Sequence, residues 1–259
     1  MSNEVRTGVV VHGAWVAGAW GLFAGMALLL GAAMSSFVRV PRRLIAMVMA
    51  FGSGVLMSAV AFELIAEAYD RSGMWPVVAG ALSGAVVYSG ANALLARHGA
   101  RHRKRSGGQQ PSESEQPGSG NAIALGALLD GIPESIVIGT SLLGGGQVGI
   151  ATVGAVFISN LPEGLASSAG MRSAGRSRGY VFALWGGIAV ISGLAALAGY
   201  TLLGDASASV LAVITAIAGG AILAMIADTM IPEAYGEVHL LTGLVTVVGF
   251  LTAFALSQL

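Results

Sequence analysis

The chain has no cysteine and very little charge: none of its 259 residues is Cys, and Asp, Glu, Lys and Arg together make up 10%. The first absence excludes disulfides, thiolate metal ligands and thiol catalysis. The second excludes an ordinary soluble domain of this length, in which about a quarter of the residues are charged. Formal net charge is zero, so bulk electrostatics call for no polyanionic partner and no nucleic acid is expected. Only four histidines are present, and the His-Glu-x-x-His pattern of zinc hydrolases is missing, so an enzyme is not expected. What remains is apolar, with 55% hydrophobic residues and a mean hydropathy of +0.78. Lipid is therefore expected to be part of the solvent.

A helix needs about 20 mostly apolar residues to cross a bilayer, and short polar breaks divide the sequence into stretches of that size. They fall at 9–37, 44–68, 75–96, 121–143, 148–170, 180–203, 206–232 and 240–258, which predicts an all-α integral membrane protein with eight transmembrane helices in a single domain. The first run is longer than the core of a signal peptide, so it reads as a retained helix. Cytoplasmic loops collect Lys and Arg. Eleven of the thirteen basic residues follow odd-numbered spans, at Arg39, Arg42 and Arg43, at 97–105, and at Arg172, Arg176 and Arg178; only Arg6 and Arg71 fall on the other side. This distribution predicts a plasma (inner) membrane protein with both termini outside and loop 97–120 in the cytoplasm. Within that loop, RHGARHRKR gives way to SGGQQPSESEQPGSG, too polar to bury a core, which predicts a largely disordered linker removable without loss of folding. His98 and His102, four apart, could hold a metal transiently on a helix; a solvated basic segment near anionic lipid is the simpler reading. The run Gly144, Gly145, Gly146 lacks the Lys-Ser/Thr of a phosphate loop and reads as a tight outer turn.

Residues 54–69 (GVLMSAVAFELIAEAY) align without gaps on 220–235 (GAILAMIADTMIPEAY), and Ile132-Pro133-Glu134 matches Leu161-Pro162-Glu163. By the arginine topology each pair runs in opposite directions, the signature of inverted repeats, which place a transport site near the membrane midplane.

Ionisable groups deep in a spanning helix cost about 2.5–3.5 kcal/mol each on insertion scales, so they mark function. Asp130 and Glu134 share one face of the fourth span, and Glu163 shares a face of the fifth with Ser159 and Asn160. No intramembrane Lys or Arg is available to neutralise these carboxylates, so bound protons or a cation must do it. Pro133 and Pro162 each remove a helical hydrogen bond to the carbonyl four residues earlier, at Leu129 and Ile158. Carboxylate, hydroxyl, amide and carbonyl oxygens form a ligand set suited to a divalent cation. Glu63, Glu67, Asp228 and Glu233 form a second tier near the ends of spans two and seven and are candidates for the entry and exit pathway. His12, the one histidine within a span, reads as a buried, hydrogen-bonded imidazole.

These residues resemble the ZIP (Zrt/Irt-like protein) family of metal transporters, whose fourth and fifth helices carry a His-Asn-x-Pro-Glu-Gly type of motif. The counterparts here are Asp130-Gly131-Ile132-Pro133-Glu134-Ser135 and Ser159-Asn160-Leu161-Pro162-Glu163-Gly164. The resemblance implies a 3+2+3 inverted-repeat bundle, a homodimer, and metal ligation by Asp130, Glu134, Ser159, Asn160 and Glu163, with Glu134 and Glu163 bridging. It departs where Asp130, Gly131 and Ser159 replace the usual His, Asn and His or Gln. The expected function is transport of a divalent metal ion toward the cytoplasm, the metal being substrate rather than cofactor: zinc by family, manganese, iron or cadmium by ligand hardness. A transport-incompetent metal sensor of the same fold and an intramembrane carboxylate or metal hydrolase are the alternatives.

Overall fold

The structure is a computed structural model that describes residues 3–143 and 150–258, with side chains described from Val11 onward and from Ala151 onward after the gap. The expected turn at 144–146 lies outside the described residues. Among those residues there is no strand. The elements are α1 (Asn3–Phe37), α2 (Arg42–Ala59), α3 (Ala66–Ser72), α4 (Met74–Leu95), α5 (Ser119–Ser141), α6 (Ile150–Ser173), α7 (Arg178–Leu203), α8 (Ala208–Met225), α9 (Ile231–Val238) and α10 (Leu240–Ser257). Three π-helical segments join them: Val60–Ile65 runs α2 into α3, Ala96–Ala100 follows α4, and Ile226–Met230 runs α8 into α9.

Six helices are long and apolar enough to cross a membrane: Val11–Phe37, Arg42–Ser72, Met74–Ala100, Ser119–Ser141, Arg178–Leu203 and Ala208–Val238. The apolar helix Leu241–Ser257 is shorter. Side chains such as Trp75, Leu202 and Leu240 stand almost fully exposed on the outside of the bundle, where only lipid could cover them favourably. This is the pattern of a membrane protein.

Local chemistry sets the helix ends. The Ser177 and Ser207 hydroxyls accept from the backbone N–H of Tyr180 and Val210 and cap α7 and α8. Gly73, at φ +76°, turns the chain from α3 into α4 with a backbone that a side chain would strain. In the bundle α1 lies against α6 and α7, α2 pairs with α10, and α4 pairs with α8. The last two crossings are alike in detail. A Cβ on Gly54 would collide with the Thr246 carbonyl oxygen of α10, and one on Gly220 would collide with the Ala81 carbonyl oxygen of α4, so both crossings bring backbone onto backbone. Gly54 and Gly220 are the first residues of the two aligned segments. The π-helical turns begin at Val60 and Ile226, also aligned positions. The central core gathers Met49, Leu56, Tyr88, Ile138, Leu165, Met225 and Met230 in one cluster.

Candidate cation site

Asp130 and Glu134 stand one turn apart on α5, and Glu163 stands on α6; each helix carries its proline internally. Their exposures are 3%, 2% and 5%, so the three carboxylates are buried as the sequence predicts. Ser159 and Asn160 are buried beside them on α6. The Ser159 hydroxyl donates to the Val156 carbonyl at 2.9 Å, which leaves its lone pairs available. The Asn160 amide donates to the Ala24 carbonyl of α1 at 3.1 Å, so this residue ties α6 to α1.

The expectation that no Lys or Arg reaches these groups is corrected by the structure. After α4 the helix breaks at His98 and at Gly99, whose φ is +101°, and the chain turns back into the bundle. Arg103 and Lys104 arrive at 2% and 3% exposure. Arg103 donates to both oxygens of Asp130, from Nε at 3.0 Å and Nη2 at 2.8 Å, to Tyr88 Oη at 2.8 Å and to Asn92 Oδ1 at 2.6 Å. Tyr88 in turn donates to Asp130 Oδ1 at 2.6 Å. Lys104 Nζ donates to Glu163 Oε2 at 2.6 Å and lies 3.3 Å from Asp130 Oδ2, bridging α5 and α6. Glu134 is close enough to feel Glu163, Lys104 and Asp130 electrostatically. It forms no hydrogen bond or ion pair with the described residues.

The segment expected to be a disordered linker is thus partly built into the protein. Arg105 Nε lies 3.5 Å from Glu233 Oε2, and its Nη1 donates to the Pro232 carbonyl at 2.9 Å. Ser106 donates to Glu233 Oε1 at 2.9 Å from its backbone N–H and from its hydroxyl. Gln110 Nε2 donates to the Arg103 carbonyl at 2.9 Å and to the Ser167 carbonyl of α6 at 3.1 Å. The physical reason is charge: buried carboxylates hold whatever cation the chain can bring them, and irregular backbone at membrane depth is tolerated where protein surrounds it. The signal in the sequence was stoichiometric. Arg103, Lys104 and Arg105 form the longest unbroken run of Lys and Arg in the chain, and buried acids needed counter-ions.

The second-tier residues separate. Glu63 sits in the π-helical turn after α2 and accepts from the Thr152 hydroxyl of α6. Glu67 pairs with Arg71 one turn on, both half exposed. With Thr140, Ser141 and Thr215 they line a small polar recess of about 40 Å³. Asp228 is exposed and accepts from Ser89 Oγ at 3.3 Å. Glu233 is buried at 2%. His12, expected to be buried, is exposed. His98 and His102 lose their shared helical face at the Gly99 break. Among the described residues no group of three or more His, Asp or Glu is arranged around a common metal position. The Lys104 ammonium takes the space between Asp130 and Glu163.

Comparison with protein-family models finds no match to this chain, and comparison with curated proteins finds none.

Proposed function

We propose that the chain is a ZIP-like membrane carrier that binds a divalent cation between α5 and α6 and passes it toward the cytoplasm. The observation that carries this reading is the seat of Lys104. Carboxylates from two different helices hold a positive group at 2.6 and 3.3 Å, and a third carboxylate beside them, Glu134, has no partner among the described residues. Such a place selects for positive charge in a low-dielectric interior. With Tyr88 and Ser159 nearby the donors are oxygens, which suits manganese, iron or cadmium alongside zinc. The paired π-helical turns and paired glycine crossings support an inverted repeat of eight spans, the architecture in which a midplane site is reached from either side in turn. A plasma-membrane homodimer with outward termini belongs to the same reading. A metal sensor without transport is the second reading, favoured by the two-oxygen grip of Arg103 on Asp130.

Uptake of labelled zinc and manganese into proteoliposomes, measured beside equilibrium binding, separates them. Saturable uptake supports the carrier, and saturable binding without uptake supports the sensor. Absence of both would end the cation reading.

A further inference from the structure

We propose that residues 101–110 form an exchangeable re-entrant plug, in which Lys104 is a tethered stand-in for the cation cargo and is displaced when a divalent cation binds. This rests on the cation-site reading above and adds its regulation. The first argument is composition. The segment RHRKRSGGQQ contains no Val, Ile, Leu, Met or aromatic residue, so ion pairs and hydrogen bonds are its main hold on the bundle, beside the packing of its Arg and Lys stems. A contact of that kind weakens as soon as another cation satisfies the carboxylates, whereas an apolar plug would stay.

The second argument is the division of labour between neighbours. Arg103 makes four hydrogen bonds, to Asp130, Tyr88 and Asn92, and is built in. Among the described residues the Lys104 ammonium forms ion pairs only with Asp130 and Glu163. Charge then selects the exchange. Arg103 and Lys104 bring two positive charges to three carboxylates, whereas Arg103 with a divalent cation brings three. Glu134, whose carboxyl has no polar partner among the described residues, gains one only in the exchanged state.

The third argument is hinges and direction. Gly99 at φ +101°, Gly108 at +77° and Gly118 at +84° interrupt the segment or bound it. Arg105, Ser106 and Gln110 latch it to α9 and α6. The recess by Glu63 and Glu67 has Arg71 as its only described cation, and that side chain is half exposed and paired on its own helix. Cargo therefore reaches the site from that recess, and the plug closes the opposite way out.

The absence of cysteine makes the test clean. Ser167→Cys places a single buried thiol on the residue whose backbone carbonyl Gln110 grips, and Ser173→Cys places a control thiol on the exposed end of the same helix. Labelling by a small uncharged water-soluble thiol reagent is followed in the purified full-length chain. In the Ser167→Cys background, Lys104→Gln should raise the labelling rate at least about tenfold, the change expected for losing roughly 1.4 kcal/mol of latch. In the Ser173→Cys background the same change should leave the rate unaltered. Lys104→Arg, which keeps the charge, should hold the buried thiol near its parent rate. Manganese ion added to the Ser167→Cys parent should raise its rate too, with less effect once Lys104→Gln is present. An unchanged rate on adding Lys104→Gln overturns the plug. If that variant does not fold, Gln110→Ala, which removes the Ser167 clasp and no ion pair, must raise the rate or the plug fails. Manganese uptake with no change in labelling of the buried thiol overturns the exchange and leaves the carrier standing. Loss of both uptake and binding refutes the carrier itself.

Discussion

Glu67 and Glu233 occupy the same position in the two aligned segments, yet one is half exposed and paired with Arg71 on its own helix, and the other is buried beneath Ser106 and Arg105. The helices around them match: each follows a π-helical turn, and each parent helix crosses its partner at a glycine. What differs is a third element: residues 105 and 106 of the 101–110 segment contact Glu233, and among the described residues no such segment contacts Glu67. Two aligned segments thus fold alike at their glycine crossings and π-helical turns, and residues 105 and 106 cover the glutamate of one of them.

The largest effect is expected at the proposed cation site. In the Glu134→Gln/Glu163→Gln variant a charge-assisted contact of about 1.5–3 kcal/mol is lost at each position, so uptake should fall on the order of a hundredfold or more. Glu163→Gln also takes a charged acceptor from the buried Lys104, which Asp130 still pairs at 3.3 Å, so thermal unfolding of the variant is measured beside its uptake. Near-normal uptake of zinc and manganese would place transport elsewhere.

Next come the features that the two halves share. Gly54→Ala and Gly220→Ala each drive a Cβ into a carbonyl of the neighbouring helix and should destabilise by about 1–3 kcal/mol, as overpacking does. Thermal unfolding in detergent should show similar losses for both. A large loss for one and none for the other would break the equivalence of the crossings.

The glutamates should then separate. Glu233→Ala strips the Ser106 N–H and hydroxyl of their acceptor and should cost about 1–2 kcal/mol, while Glu67→Ala removes an exposed pair worth at most about 0.5 kcal/mol. Equal effects in the same unfolding assay would mean that burial over Glu233 contributes nothing.

The helices and the carboxylate cluster were legible because each obeys a local rule. Spans announce themselves by apolar runs, and Asp130, Glu134 and Glu163 stand out as charges where charge is costly. The plug was not legible for the same reason that the spans were. Lys and Arg counted loop by loop measure topology, so Arg103, Lys104 and Arg105 were assigned to water by the rule that finds the cytoplasmic side. Whether a basic residue stays in its loop or turns back into the bundle depends on long-range pairing, here with Asp130, Glu163 and Glu233. The π-helical turns were hidden as well, since one extra residue in a helical turn leaves the apolar pattern almost unchanged.

The smallest effect concerns the stretch after residues 101–110, where Glu113 reaches the start of α5. Its carboxylate accepts from the backbone N–H groups of Gly118 and Gly120, the latter at 3.1 Å, and from the Ser119 hydroxyl at 3.3 Å. Arg176 of the loop before α7 lies 3.6 Å away. The Gly118 and Gly120 N–H groups hold the Glu113 carboxyl below its ordinary value against an opposing effect of desolvation, with smaller help from Ser119 and Arg176. A carboxyl whose folded value is depressed contributes stability that is fully present above the unfolded value and is lost as pH falls through the folded one. Acidification from about pH 6 to about pH 3 should therefore loosen the start of α5, as faster intrinsic-rate-corrected amide exchange at Gly118 and Gly120. Glu113→Gln should flatten that pH dependence while the exposed pair of Glu67 and Arg71 responds as before. The opposite sign, slower corrected exchange in acid, would mean that Glu113 does not anchor this stretch of the chain to α5.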